Sequence, residues 1–237
     1  MTNPLSLGWM MIALFFLQSC SHIAQNFPSY PVNQENIDDL LKATTDAYHL
    51  AEKVKARGDQ MLVAKKGMRY ADLCLQKNKS LPDCHYYKAL NTGLYYEARV
   101  VGYHKGLKII VEEAQKVIDL DPSYDYGGGY RVLGRLYAKI PAFAVGKTAV
   151  RRDLDKSIDY LQKAITIAPH YPENYLFLAD SLYESNRLKE ALKILHQMWS
   201  HPLQPEWRPM MSQWRREGDR LLKAIHKSKE KSEDNSS

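Results

Sequence analysis

Residues 154–199 read LDKSIDYLQKAITIAPHYPENYLFLADSLYESNRLKEALKILHQMW, and this stretch decides the fold. Small or apolar residues fall at Ser157, Leu161 and Ala164, then at Tyr175, Leu178, Ala179 and Leu182, then at Ala191, Leu195 and Met198. Spacings of three and four put each set on one face of a helix, so the stretch is a series of amphipathic helices. Pro169 cannot continue a helix and falls in the link between two of them. Ser157 and Ala191 stand 34 residues apart, one period of a helix–turn–helix repeat. Small residues at 157, 164, 179 and 191 allow close helix approach, while Tyr175 and Leu178 fill the gaps.

A whole helix pair with its flanks fits this register, and in it the chain resembles the tetratricopeptide repeat. The expected fold is all-α, a tetratricopeptide-repeat-like solenoid of antiparallel helix pairs. Before the pair, Tyr130, Leu133, Gly134 and Tyr137 match the first helix of another repeat. From Leu133 to Ser157 is 24 residues, against roughly 13 in a standard repeat, so an enlarged loop is expected near 140–151, IPAFAVGKTAVR. Tyr87, Leu90 and Leu94 carry the register further back, in a helix over 84–101. Helices are expected over 36–57, burying Leu40, Ala47 and Ala51, and over 60–77, burying Leu62, Ala64 and Ala71. Another is expected over 108–120, burying Ile109, Val111, Ala114 and Val117. Pro202 and Pro205 stop the helix ending near Trp199. A last helix over 206–226, with Trp207, Met211, Trp214 and Leu221, caps the array, and the polar end 227–237 reads as disordered.

Residues 9–17, WMMIALFFL, form an apolar run of nine, too short to span a bilayer but suited to the core of a signal peptide. It ends at Leu17-Gln18-Ser19-Cys20, which resembles the bacterial lipoprotein signal. That resemblance implies removal of residues 1–19 and lipidation of Cys20, with the palmitoyl-type chains anchoring the protein in a membrane. Gln18 and the lack of Lys or Arg before the apolar run depart from the pattern, and an ordinary secretory signal is the competing reading. Ser21, where an Asp would retain the protein at the inner membrane, implies an outer-membrane lipoprotein facing the periplasm. Residues 20–35 read as the lipidated cysteine and a tether, and 36–226 as the helical domain.

Export places Cys74 and Cys84, ten residues apart, in an oxidising compartment, where they either form a disulfide or pack as two small apolar groups. The net charge of +6 comes from 33 basic and 27 acidic residues interspersed along the chain, which does not make the basic stripe of a nucleic-acid binder. Pro141-x4-Gly146-Lys147-Thr148 misses a phosphate-binding loop by one glycine and has no preceding strand. No nucleophile or acid–base pair stands in a recognisable arrangement. His85, His104, His170, His196 and His201 lack metal-ligand spacing. No enzyme activity, cofactor or metal is therefore expected.

Over 122–198, the glycine run 127–129 entering Tyr-Arg-x-Leu-Gly-Arg-Leu-Tyr-Ala at 130–138, the Ile140-Pro141 loop, and the link Ala-Pro-His-Tyr-Pro-Glu-Asn resemble a narrower group. They look like the T component of TRAP (tripartite ATP-independent periplasmic) transporters, and the region of Cys74, Tyr86, Tyr87 and Asn91 fits as well. The resemblance implies a lipoprotein that encloses a ligand-binding pore, assembles as a homo-trimer and partners a periplasmic solute-binding protein. The implied function is an accessory ligand- or protein-binding component of solute uptake. The competing role is a scaffold lipoprotein for outer-membrane assembly or secretion machinery, with another envelope protein as partner. The inner face of the first helix of each repeat is where binding is expected: Lys88, Thr92, Tyr95 and Tyr96, then Arg131, Arg135 and Lys139, then Asp180 and Tyr183. Arg131, Arg135 and Lys139 are spaced by four and form one stripe, suited to an organic carboxylate or an acidic partner, or else a plain solvated basic face.

Overall fold

Nine α-helices carry the described residues: α1 (Ile37–Lys53), α2 (Arg57–Lys77), α3 (Pro82–Arg99), α4 (Tyr103–Leu120), α5 (Tyr124–Lys139), α6 (Leu154–Ile167), α7 (Pro172–Glu184), α8 (Leu188–Ser200) and α9 (Arg208–Asp234). A single 3₁₀ turn, Pro205–Trp207, precedes α9. The computed structural model describes residues 24–99, 102–141, 150–202 and 204–234, and no strand occurs among them. None of the described helices is long and apolar enough to cross a membrane. The signal segment, Cys20 and the Gly146-Lys147-Thr148 loop lie outside the described residues.

The chain divides into two compact units, one through Glu113 and one from Ala114, with the boundary inside α4. In the first unit α1, α2 and α3 pack by small residues. Asn36 caps α1, its side chain accepting from the amides of Asp38 and Asp39 at 2.8 and 3.2 Å. Ala43, Thr44, Ala47 and Ala51 of α1 face Ala64, Gly67, Ala71 and Cys74 of α2, all buried. A methyl group at Gly67 would come within 2.3 Å of the Asn91 oxygen and 2.7 Å of the Ala47 methyl, so the side chains of two neighbouring helices already fill the space over this glycine. Thr44 Oγ1 donates to the Gly67 carbonyl at 2.5 Å, and Asn91 Nδ2 donates to the Thr44 carbonyl at 3.1 Å.

This close seam corrects several expected burials. Leu62 is 36% exposed, because α2 turns its small residues rather than its leucines inward. On α4 the buried positions are Leu107, Ile110, Ala114 and Val117, one residue off the expected Ile109 and Val111 at its start. Gly106 sits inside that helix with a Tyr96 ring where its side chain would be. Cys74 and Cys84 are joined by a disulfide that ties the end of α2 to the start of α3, with Cα atoms 6.1 Å apart.

The described part of the tether also folds back. Ala24 is fully buried with Ala47, Ala51, Val63 and Ala64, and Phe27 packs against them. Lys66 Nζ donates to the carbonyls of Ala24, Gln25 and Phe27 at 3.2, 3.0 and 2.7 Å. Tyr30 donates to Asp46 at 2.7 Å, and burial with that carboxylate pushes its phenol up to about 12. Residues 24–30 are thus part of the first unit, because a lysine ammonium satisfies their carbonyls and an alanine fills a helix groove.

The second unit follows the expected repeat register. Leu133, Ser157, Leu161, Ala164, Leu178, Ala179, Leu182, Ala191, Leu195 and Met198 are all at most 3% exposed. Asp153 caps α6 by accepting from the Lys156 amide at 3.0 Å, and Pro172 opens α7 where no amide donor is needed. Trp207, Trp214, Leu221 and Ile225 complete this core, so the last helix caps it. That helix continues to Asp234, into the segment 227–237 expected to be disordered, since its buried face recurs every three to four residues as far as Ile225 and helical propagation carries the polar end. Among the described residues the chain is all-α, built of tetratricopeptide-repeat-like antiparallel helix pairs.

Candidate functional site

In the second unit, Arg131, expected on an inner face as a binding residue or as part of a solvated basic stripe, is 4% exposed. Its Nε faces Glu173 at 3.0 Å, and its Nη1 donates to the Asp125 carbonyl at 2.9 Å and to Asn174 Oδ1 at 3.3 Å. Nη2 pairs with the Asp125 carboxylate. The guanidinium lies 4.9 Å from the centroid of the Tyr171 ring, which stacks on Tyr126 at 4.5 Å and meets Trp207 and Trp214 edge-on. Burial drives the Glu173 carboxyl above its usual range although Arg131 pulls it down, and burial likewise pushes the Tyr171 phenol up.

This cluster holds an unusual backbone. Asp125, Tyr126 and Gly127 are all left-handed, with φ of 46°, 58° and 81°. Glycine takes that conformation freely, but a residue with a Cβ does so at a cost of about 1–2 kcal/mol. Arg131 holds Asp125, and Asn174 Nδ2 donates to the Tyr126 carbonyl at 3.0 Å and to the Ala164 carbonyl at 3.2 Å. Gly127 is required twice over, since an added Cβ would stand 3.1 Å from the Ala164 Cα. The glycine run is therefore a tight crossing.

The rest of the basic stripe is paired as well. Asp180 of α7 receives Arg135 and Lys139 of α5, each at 2.7 Å, and Glu184 receives Arg152 at 2.7 Å and Lys139 at 3.7 Å. Arg135 also lies 4.5 Å over the Phe177 ring. Three cations against two carboxylates leave a surplus of one charge, so the stripe is largely paired within the unit. Tyr183 reaches Ser228 at 3.4 Å and lines a shallow hollow of about 290 Å³ with Glu184, Asn186 and Leu188.

In the first unit the expected inner face turns partly inward. Thr92 is fully buried, its hydroxyl donating to the Lys88 carbonyl at 2.7 Å. Lys88 bridges Asp72 at 2.9 Å and Glu113 at 2.7 Å, and His85 Nδ1 meets Glu113 at 2.5 Å while Nε2 meets the Lys79 carbonyl at 2.9 Å. A carbonyl and a carboxylate both accept, so both ring nitrogens donate and His85 is an imidazolium. Burial alone would lower its pKa, but these two acceptors raise it. Tyr95 and Tyr96 are half-buried and meet edge-on at 5.0 Å. Nothing in the sequence marks Glu113 as the partner of His85, or Glu173 and Asn174 as partners of Arg131, because each pair is split between two helices.

Part of the second unit's surface is aromatic. Tyr137 and Tyr160 stack at 5.9 Å with Tyr130 beside them, and Lys156 and Lys163 lie 5.4 and 5.6 Å over the two rings. Half-buried tyrosines beside cations supply rigid apolar area with a polar rim, the composition of a protein-contact surface. Residues 151–213 match the family model of the tetratricopeptide repeat, covering α6, α7, α8 and the start of α9. No curated protein matches the sequence. The chain thus carries a tetratricopeptide repeat, a module that points to a protein-binding scaffold and that is as a rule non-enzymatic.

Proposed function

We propose that this chain is a lipid-anchored docking component of the bacterial cell envelope, facing the periplasm and binding a partner protein without bond chemistry. The observation that carries the reading is the half-buried Tyr130–Tyr137–Tyr160 cluster with its two lysines, in the unit that matches a repeat used for protein contact. The cations expected to hold a small carboxylate are already engaged by Asp125, Glu173, Asp180 and Glu184, which favours a broad protein surface over a solute site. With Cys20 lipidated, the packed residue Ala24 stands four positions along, so the first unit lies within about 14 Å of its anchor. The resemblance of 122–198 to the TRAP T component makes a periplasmic solute-binding protein of that system the partner, and a trimer the assembly.

The test is capture of such a solute-binding protein by the lipidated full chain in detergent, with wild type beside a Y137A/Y160A variant. Retention by wild type and loss of at least tenfold in affinity by the variant is the expected result. Equal retention by both, or capture only of outer-membrane assembly or secretion proteins, overturns the uptake role. Metabolic labelling with a palmitate analogue, abolished by C20A, tests the anchor separately.

A further inference from the structure

His170 and His201 are 31 positions apart in sequence, yet their Nδ1 atoms stand 3.3 Å apart with the ring centroids at 5.0 Å and the planes inclined by 71°. The neighbouring hydrogen bonds fix which nitrogen of His201 carries the proton. Tyr175 has a single hydroxyl hydrogen and donates it to the Pro169 carbonyl at 2.6 Å, an atom that can only accept. The same hydroxyl lies 3.1 Å from His201 Nε2, so at that contact the histidine is the donor. Neutral His201 is therefore the Nε2–H tautomer, and its bare Nδ1 lone pair faces His170.

We propose that His170 and His201 form a two-imidazole site for a divalent transition-metal ion of the Zn²⁺, Cu²⁺ or Ni²⁺ class, bound through both Nδ1 atoms with water in the remaining positions. Two nitrogens each ~2.05 Å from a tetrahedral ion stand about 3.3 Å apart, with their ring centroids about 5.2 Å apart. Nitrogens aimed straight at each other in a linear hydrogen bond over the same gap would put the centroids at about 5.6 Å. The observed 5.0 Å matches nitrogens that converge on a point beside the line joining them. Tyr175 supplies what a ligating histidine needs behind it, an acceptor on the far nitrogen that sets tautomer and ring orientation. It is 5% exposed and anchored through Pro169 in the link between α6 and α7. The site couples that link to the segment after α8, so an ion would bind two connections of the second unit together. The donor set is all nitrogen, which excludes Ca²⁺ and Mg²⁺ as occupants.

The experiment is calorimetric titration of the untagged, chelator-treated full chain with Zn²⁺ and Ni²⁺, joined to electron paramagnetic resonance of the Cu²⁺ form. The expected result is one ion per chain, a Cu²⁺ signal split by two imidazole nitrogens, and affinity lowered at least tenfold by H170A and by H201A. Y175F, which keeps the ring but removes the acceptor, is expected to lower affinity about tenfold while leaving two nitrogens in the spectrum. Far-ultraviolet circular dichroism identical to wild type certifies that each variant is folded, and His170 is exposed, so H170A alone suffices if the others are not. Unchanged affinity and stoichiometry in folded H170A, or a one-nitrogen Cu²⁺ spectrum in wild type, overturns the site and leaves an adventitious ion only.

Discussion

Replacing Arg131 by methionine keeps the length and most of the volume of the side chain while removing its charge. The change strips Glu173 of its partner at 3.0 Å, the Asp125 carboxylate of its partner, and the Asp125 carbonyl of a donor at 2.9 Å. Removing one member of a buried ion pair leaves an uncompensated charge and costs about 3–5 kcal/mol. The loss also carries a pH signature. Glu173 already has a raised pKa because burial outweighs Arg131, and without the cation it rises further. An acid whose folded pKa is raised binds a proton on folding, so the folded variant gains stability as pH falls through that pKa. Denaturant unfolding of the full chain, followed by fluorescence of Trp207 and Trp214 beside Tyr171, reads this directly. R131M should unfold about 3–5 kcal/mol more easily than wild type at pH 7, and the gap should narrow at pH 5. Adding E173Q should recover at least ~1 kcal/mol of the loss at pH 7, since the orphaned charge is gone. A deficit below ~1 kcal/mol, or one equal at both pH values and untouched by E173Q, would refute the account of a buried pair.

Four further outcomes follow from the same geometry. His85 has a folded pKa above its ordinary 6.5, so its contribution is complete below pH 6.5 and is lost as pH climbs through the raised value. The melting temperature of the first unit should therefore fall between pH 6 and pH 9, with H85Q flattening the slope. G127A combines a left-handed φ with an approach of 3.1 Å to Ala164, and should cost about 2–4 kcal/mol in denaturant unfolding. G58A, with nothing within 4 Å, should stay within ~0.5 kcal/mol of wild type. Loss of the Cys74–Cys84 bridge in C74S/C84S opens a loop of sequence separation 10 and should lower stability by about 2.7 kcal/mol, matched by wild type under reductant.

The helical repeat was legible because its signal is local. Ser157, Leu161, Ala164, Leu178, Ala179 and Leu195 sit where a period of three to four puts them, and all are buried as that spacing requires. The reading weakened in the first unit, where small residues form the seam. Apolar size was a poor guide there, so Leu62 faces solvent while Gly67 occupies the crossing. Left-handed backbone at Asp125 and Tyr126 had no mark in the sequence beyond the glycines after them.

Side-chain partnership is where the sequence alone stopped. The stripe of Arg131, Arg135 and Lys139 is visible from its spacing of four, but its partners are not. Asp180 meets Arg135 across 45 positions, and Asn174 meets Arg131 across 43. His85 meets Glu113 across 28, and His170 meets His201 across 31. Period and propensity act within a turn or two of chain, so sequence determined the helices and the faces they bury. What a charge or a ring nitrogen can do depends on the group that a different helix sets within 4 Å of it, and only the packing of those helices decides that.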